Sequence, residues 1–273
     1  MTWKRSTSLF LPALLSCSVA DAQTLGASAW SEGRLSSARL IAGGFRDGVY
    51  SAGVEIVLKN GAHTYWRNPG DAGAPPAIGF DQSKNLGLAQ LRYPAPKRIL
   101  EDGQDIFGYL DAVILPLDVK PAEAKSPVDL AVDLQYAACA RICIPETAHF
   151  ELRLAPEVAN SEQSARLAQV VADLPRPVGA GGPTLRIAPL PGPAKPAWRL
   201  VLDPPPGPGG DVFSEAPDGW YFSTHRAADG GFDLILEQKP DDAPATVAVR
   251  LTIFDGARAF ETSAQLEGGG VRP

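Results

Sequence analysis

Cysteine is scarce in this sequence: of its 273 residues, only Cys17, Cys139 and Cys143 are cysteines. A basic excess is also missing, since the net charge is −6. Without a basic face a protein cannot neutralise the phosphates of a nucleic acid, so no nucleic-acid partner is expected. Beyond the N-terminus there is no apolar run of about eighteen residues, and the sequence therefore predicts no transmembrane helix.

The N-terminal segment has the features of an export signal. Lys4 and Arg5 precede an apolar run at residues 9–15, and residues 20–22 (Ala-Asp-Ala) form a small-x-small cleavage pattern. We therefore predict a removable signal peptide over residues 1–22 and release into a compartment where disulfides persist. A minor alternative is a lipoprotein attached through Cys17, although the bulky Leu15 fits that processing pattern poorly.

Alternation of apolar and polar residues dominates residues 36–155. It is clearest in the stretches at 54–58, 128–136 and 150–154. Period-two patterning predicts strands that each bury one face. About seven short strands separated by turn signals are typical of an immunoglobulin-like β-sandwich, which we assign to residues 23–157.

The second half of the chain predicts a smaller all-β domain. A short helix capped by Ser161 is expected at 161–174, and a Pro/Gly-rich segment follows it, so residues 158–196 are interpreted as helix and linker. Alternation resumes in residues 197–267, which we assign to a second, smaller β-sandwich-like domain without cysteine. His225 and residues 220–222 are expected to be strand-core material there, and residues 268–273 form a flexible tail.

The stretch "YAACARICIP" carries Cys139 and Cys143, three residues apart on a predicted turn between two strands. As a structural staple, so short a loop would contribute only about 2 kcal/mol. As a metal site, the pair lacks further zinc ligands, because His149 is expected on a strand surface and nothing places the other histidines nearby. Two-coordinate Cu(I) would need only the two thiolates.

As a redox pair, the same two cysteines make chemical sense. Arg141 lies between them and can favour the thiolate, the species that attacks a disulfide. Pro145 stiffens the exit from the loop. The spacing by itself leaves the staple, the copper site and the redox pair open.

The stretch "YWRNPGDAG" has two interpretations of its own. Residues 68–71 (Asn-Pro-Gly-Asp) predict a tight turn, with proline presetting φ and glycine allowing a positive φ. The cluster of Trp66, Arg67 and Asp71 is alternatively a docking surface for a partner.

The cysteine stretch and its flanks resemble the periplasmic N-terminal domain of DsbD, and most closely its ScsB-like variant. The resemblance is carried by "YAACARICIPE" followed by "TAHFELRL", by "GAHTYWRNPGDAGAPPAIGF" and "LRYPAPKRI" upstream, and by "DIFGYLDAVILPLDV". It covers about residues 35–155, and extends more loosely into the second domain through "DVFSEAPDGWYF".

The resemblance implies an immunoglobulin-like fold and a protein-disulfide oxidoreductase activity in the periplasm. Reducing equivalents would pass from a membrane-embedded thiol reductase to thioredoxin-like periplasmic proteins. Cys143 would form the mixed disulfide with a partner, and Cys139 would resolve it. An aromatic cap over the cysteines is also implied, with Phe107 as the foremost cap residue, and Tyr65 would line the same pocket.

Ile106 and Tyr109 belong to the same segment as Phe107 and complete the implied cap or pocket set. The chain departs from the full family architecture, because it has neither a transmembrane electron carrier nor a thioredoxin-like domain with C-x-x-C. Either a separate membrane protein supplies the electrons, or the domain is a copper-resistance module that binds Cu(I) through Cys139 and Cys143.

Overall fold

A computed structural model describes residues 26–156, 162–179 and 181–267 of the chain. The predicted signal peptide, Cys17, the helix cap at Ser161 and the predicted tail at 268–273 lie outside these residues. The described part is built almost wholly from antiparallel strands arranged as two sandwiches, which confirms the predicted all-β fold class. Within it, no helix is both long and apolar enough to cross a bilayer.

The first sandwich is formed by the strands up to residue 154. They are β1 (Ser31–Glu32), β2 (Ser36–Arg46), β3 (Val49–Leu58), β4 (His63–Gly70), β5 (Ala77–Gly79), β6 (Leu86–Leu91), β7 (Lys97–Glu101), β8 (Gln104–Leu110), β9 (Ala112–Pro121), β10 (Val128–Cys139) and β11 (Cys143–Leu154). One sheet has the order β1-β2-β3-β9-β6. The other has the order β11-β10-β4-β8-β7, with β5 also paired to β10.

The alternation in the sequence determines which faces of these strands are buried. Leu40, Val54 and Ile56 from one sheet meet Leu130 and Val132 from the other in a single core, and all five are at most 1% exposed. Period-two side-chain placement makes this pairing register-specific, because a slip of one residue would move the apolar set to the solvent face. The core therefore fixes the strands that carry the cysteines.

One helix, α1 (Glu162–Ala172), covers the outer face of the first sheet. Leu167 is fully buried against Ile41 and Ile114. Gly53 allows this approach, since a Cβ there would lie 3.1 Å from the Leu167 side chain. The helix was predicted from the spacing of its apolar residues, and the prediction is confirmed with the ends at Glu162 and Ala172.

The second sandwich consists of the remaining strands. They are β12 (Arg176–Pro177), β13 (Thr184–Pro189), β14 (Ala197–Asp203), β15 (Asp211–Glu215), β16 (Tyr221–Arg226), β17 (Phe232–Gln238), β18 (Thr246–Phe254) and β19 (Ala259–Glu267). Its sheets have the orders β12-β19-β18-β15 and β13-β14-β17-β16. Phe222 is buried in its core, whereas His225 is exposed, so the strand-core interpretation of His225 was wrong.

The segment predicted as a linker contains two of these strands. β12 pairs in parallel with β19, and β13 pairs along its whole length with β14. Both are edge strands of their sheets, the position at which proline is tolerated because a missing N–H is not needed by a neighbour. The Pro-rich composition therefore marks the rim of the second sandwich.

The two sandwiches share an apolar contact centred on Phe213 of β15. Phe213 is 1% exposed and belongs to the core of the first sandwich. Its ring lies edge-on to Trp66 of β4 and Phe107 of β8, with centroids 5.9 and 5.0 Å away. The second sandwich thus packs directly on the sheet that carries the cysteines.

Candidate functional site: the Cys139–Cys143 hairpin

The two cysteines close the hairpin between β10 and β11. The strands pair without interruption from Val128 opposite Leu154 to Cys139 opposite Cys143. The cysteines form a disulfide, with the sulfurs 2.14 Å and the Cα atoms 4.0 Å apart. Because register in a half-buried hairpin is set by its apolar face, the alternation of β10 and β11 brings the two sulfurs together.

The two halves of the disulfide differ in their access to solvent. Cys139 is fully buried, whereas Cys143 is exposed. Arg141 and Ile142 at the tip of the hairpin are exposed as well, Ile142 by 61%. A partner protein can therefore reach Cys143 but not Cys139.

Tyr65 of β4 contacts both sulfurs through its hydroxyl. The oxygen lies 3.1 Å from Cys139 Sγ and 3.3 Å from Cys143 Sγ. Thr64 next to it donates a hydrogen bond to the carbonyl of Ala137 at 2.8 Å, which fastens β4 to β10 at this point. Burial, and then the nearby Glu101 carboxylate, raise the pKa of Tyr65, so the phenol keeps its proton and can donate it in a hydrogen bond to sulfur.

A small apolar cluster surrounds the buried half of the disulfide. Tyr65 and Ile106 are buried with Cys139 in this cluster, and Ala72 and Ile99 pack against it. Gly73, with φ of +113°, lies so close to the Tyr65 ring that a Cβ at this position would be 2.2 Å from a ring carbon. The loop that begins at Asp71 therefore packs directly on the tyrosine that contacts the sulfurs.

His63, the first residue of β4, was missed by the sequence reasoning. Its Cα is the strand partner of Cys139, its imidazole packs edge-on against Tyr65 with centroids 5.4 Å apart, and it is 4% exposed. Burial lowers the pKa of His63, and Glu101, whose carboxylate is 3.8 Å from Nε2, opposes this. His63 and Tyr65 are two residues apart, and residues with this spacing on a strand lie on the same face. This spacing could have indicated that His63 lies beside Tyr65.

The structure divides the predicted cap residues into two groups. It brings Tyr65 and Ile106 to the disulfide. It places Phe107 on the opposite side of β8, in the main core against Phe213, and Tyr109 in the same core with its hydroxyl donating to the carbonyl of Pro94 at 2.9 Å. Phe107 and Tyr109 thus do not cover the sulfurs, because neighbouring residues of a strand point to opposite faces.

The stretch predicted as a turn at 68–71 is mostly strand. β4 continues to Gly70, which has φ of +85°, and the pairing with β8 shifts register between Tyr65 and Gly70. Trp66 is fully buried, and Asp71 accepts a hydrogen bond from Tyr221. The alternative interpretation as a docking surface was closer, although the partner is the second sandwich of the same chain.

Two arginines fix this contact between the sandwiches. Arg67 donates two hydrogen bonds to Glu215, at 2.8 and 2.7 Å, and also pairs with Glu261. Arg98 of β7 pairs in the same forked way with Asp211, at 2.9 and 3.0 Å. Bidentate pairs of this kind are directional and demand a set geometry, so they orient β4 and β7 relative to the second sandwich.

Copper binding by the two sulfurs stays a prediction. Within the described residues, no three side chains of His, Cys, Asp or Glu gather into a group that could hold a metal ion. The arrangement found at the hairpin is a disulfide with one accessible and one buried sulfur-bearing residue, a hydroxyl contacting both sulfurs, and a buried histidine alongside. This is suited to opening and closing of the sulfur–sulfur bond.

Comparison with known proteins agrees with this chemistry. Residues 40–155 match the family described as thiol:disulfide interchange protein DsbD, N-terminal. The crystal structure of the N-terminal periplasmic domain of ScsB from Proteus mirabilis is similar in fold, with a TM-score of 0.72 and 18% sequence identity, covering 90% of this chain and 100% of that one. No curated protein matches the sequence.

A further solved structure, the protocadherin GammaB4 extracellular domain, has a TM-score of only 0.23 and 10% identity, covering 88% of this chain and 42% of that chain.

Proposed function

We propose that this chain, whose residues 40–155 match the DsbD N-terminal family of thiol:disulfide interchange proteins, is a periplasmic thiol–disulfide exchange module. It passes reducing equivalents from a membrane-embedded thiol reductase to thioredoxin-like periplasmic proteins through Cys139 and Cys143. The periplasmic location is supported by the likeness to a periplasmic domain and by the export signal expected from the sequence.

The observation that carries the proposal is the asymmetric exposure of the disulfide. A thiolate of the reductant attacks the exposed Cys143, and the buried Cys139 leaves. In the opposite half-reaction the Cys143 thiolate attacks a partner disulfide, and Cys139 then resolves the mixed disulfide. Each exchange transfers two electrons and conserves the two thiol protons between the partners.

Three neighbours of the pair are assigned supporting roles in this proposal. Tyr65 donates a hydrogen bond to whichever sulfur carries charge, and Ile106 shields the buried sulfur from water. Arg141, exposed at the tip of the hairpin, favours the Cys143 thiolate by its positive charge. Ile142 adds an exposed apolar contact beside the reactive cysteine, which suits docking of another protein.

The proposal is tested by trapping the mixed disulfide. We expect a Cys139→Ser variant in the periplasm to accumulate covalent complexes with partner proteins, because the resolving thiol is gone while the accessible Cys143 remains. These complexes are detected as thiol-sensitive bands on non-reducing gels and identified by mass spectrometry. The matched control is Cys143→Ser, which retains only the buried thiol and should trap far less. If neither variant forms such complexes, the exchange function is wrong.

A further inference from the structure

His63 lies in one row with the two cysteines. Strand pairing sets His63 of β4 opposite Cys139 of β10, and Cys139 opposite Cys143 of β11. Directly opposed residues on adjacent antiparallel strands extend to the same face of the sheet, with Cβ atoms about 4.5–5.5 Å apart. The imidazole and the two sulfurs are therefore neighbours across three strands.

The imidazole of His63 has an unused nitrogen in this place. Nε2 is buried and, among the described residues, has no hydrogen-bond partner. The titratable groups around the ring are Tyr65 from its own strand, Cys139 from β10 and Glu101 from β7, whose carboxylate is 3.8 Å from Nε2. Its strand partner on β8, Leu110, is uncharged. Leaving a buried polar atom without a hydrogen bond costs free energy. This cost is accounted for if Nε2 interacts with a charge that is present only at another stage of the reaction.

Such a charge arises when the disulfide opens. A reductant thiolate attacks Cys143 Sγ and forms a new sulfur–sulfur bond, while the Cys139–Cys143 bond breaks and its electron pair moves to Cys139 Sγ. Cys139 is fully buried in an apolar cluster with Ile106, where a negative charge is disfavoured. A leaving thiolate departs faster when its charge is stabilised or neutralised.

We propose that the His63 imidazole supplies the positive charge facing the departing Cys139 sulfur, with Glu101 as its counter-ion. The proton that the reductant releases on forming its thiolate passes to water, and His63 takes one up from water. His63 then returns this proton to Cys139 as the thiol forms. When the second reductant thiol resolves the mixed disulfide, the Cys143 thiolate takes its proton from water. This inference rests on the exchange function proposed above.

Burial lowers the pKa of His63, with Glu101 opposing it. The imidazole is therefore neutral beside the closed disulfide near neutral pH, and a thiolate at Cys139 favours its protonated form. We therefore expect a specific pH dependence. The rate of disulfide opening, divided by the thiolate fraction of the reductant, should increase as the pH falls through the pKa of His63. A side chain with a purely structural role would not produce this dependence.

The test is the rate of disulfide reduction by dithiothreitol in the oxidised protein between pH 5.5 and 8.5. Samples are quenched by alkylation and read by mass spectrometry, and rates are divided by the thiolate fraction of the reagent. For His63→Gln we expect a flat profile and, at pH 5.5, a rate about tenfold below the parent, a modest effect on the scale of general acid–base catalysis. For Glu101→Gln we expect the reduction rate still to increase as the pH falls, but over a lower pH range, because the counter-ion that favours protonated His63 is lost.

The chain provides a matched control in His149, which is exposed on β11 and hydrogen-bonded to Asp133. His149→Gln should follow the parent profile. If His63→Gln also follows it, the inference is overturned. Should His63→Gln fail to fold, Glu101→Gln decides, since an unmoved profile in that variant overturns the inference equally. If dithiothreitol reduces neither the parent nor any variant at any pH, the proposed exchange function is wrong as well. This outcome differs from reduction whose pH profile is unchanged by the His63 substitution, which overturns only the role of His63.

Discussion

At the scale of single residues, the chemistry of the hairpin depends on which side chains face the sulfurs. The sequence was sufficient to single out Cys139 and Cys143, because a short spacing on a predicted strand turn is a local signal. It was not sufficient to separate Ile106 from Phe107, which are adjacent in the chain and lie on opposite faces of β8. Assigning them required knowing which face of β8 meets the disulfide, and that depends on packing between distant segments.

The hydroxyl of Tyr65 is the group for which a single-atom change is most informative. We expect Tyr65→Phe to slow reduction of the disulfide by dithiothreitol about two- to tenfold, since one hydrogen bond is worth about 0.5–1.5 kcal/mol. Rates are measured by alkylation and mass spectrometry at fixed pH. Tyr109→Phe is the control, because Tyr109 is also a buried residue, at 6% exposure against 4% for Tyr65, but its hydroxyl donates to the carbonyl of Pro94. Equal rates in the parent and Tyr65→Phe would contradict the assignment.

At the scale of elements, β10 and β11 were predictable and the position of β4 was not. Alternation along residues 128–136 and 150–154 is a property of each strand, so the hairpin and its buried face could be predicted. The pairing of β4 with β10 joins segments more than seventy residues apart and is seen at Cys139 opposite His63. No local pattern specifies that pairing, so nothing in the sequence placed His63 near the cysteines.

The loop after β4 supports Tyr65 through Gly73. We expect Gly73→Ala to destabilise the protein and to change the rate of disulfide reduction, because a Cβ there would lie 2.2 Å from the Tyr65 ring. Gly192→Ala is the matched control, since Gly192 has nearly the same φ, +112°, but nothing within 4 Å of its Cβ position. Gly192→Ala should destabilise the protein through backbone strain but leave the rate of disulfide reduction unchanged. The same reduction rate in both variants would refute the contact.

The attachment of α1 to β3 should depend on pH. Glu55 is 3% exposed and accepts hydrogen bonds from Arg166 of α1 and Arg39 of β2. Burial is the largest influence and raises the pKa of Glu55, but the two arginines together outweigh it, so the pKa is lowered. A carboxyl group with a lowered pKa in the folded state stabilises above its ordinary value of 4.5, and this stabilisation is lost as the pH falls below that value.

We therefore expect Glu55→Gln to lower the free energy of unfolding at pH 7 by about 1–3 kcal/mol, the scale of a hydrogen bond to a charged group. The difference between variant and parent should be smaller at pH 3.5 than at pH 7, because below 4.5 the unfolded state binds a proton that the folded state binds less readily. Urea unfolding at the two pH values measures this. A difference that is the same at both would show that Glu55 acts through its shape alone.

At the scale of the whole molecule, the sequence predicted two β-domains but not how they meet. Each sandwich follows from alternation within its own segment. The contact between them joins residues such as Arg67 and Glu215, which are 148 positions apart. Phe213 looks from sequence like any strand residue of the second domain, yet it belongs to the core of the first. Interfaces of this kind arise from complementary surfaces, which one sequence does not reveal.

Phe213 allows the coupling of the sandwiches to be measured. We expect Phe213→Ala to destabilise the protein by about 3–5 kcal/mol, as truncations of a buried phenylalanine do. Hydrogen exchange should rise in β4 and β8 of the first sandwich as well as in β15. Phe222→Ala, at 3% exposure in the core of the second sandwich, is the control and should raise exchange only there. An unchanged pattern in β4 and β8 of Phe213→Ala would mean that the sandwiches are energetically independent.

The place of Phe213 also bears on how this molecule can be dissected. A fragment ending at residue 156 would keep the cysteine hairpin but leave the rings of Trp66 and Phe107 facing water, beside guanidinium groups deprived of Glu215 and Asp211. An uncovered aromatic patch of this kind invites self-association. We therefore expect a fragment ending at residue 156 to self-associate, and the chemistry of the hairpin to be measured best on a chain that extends through β19.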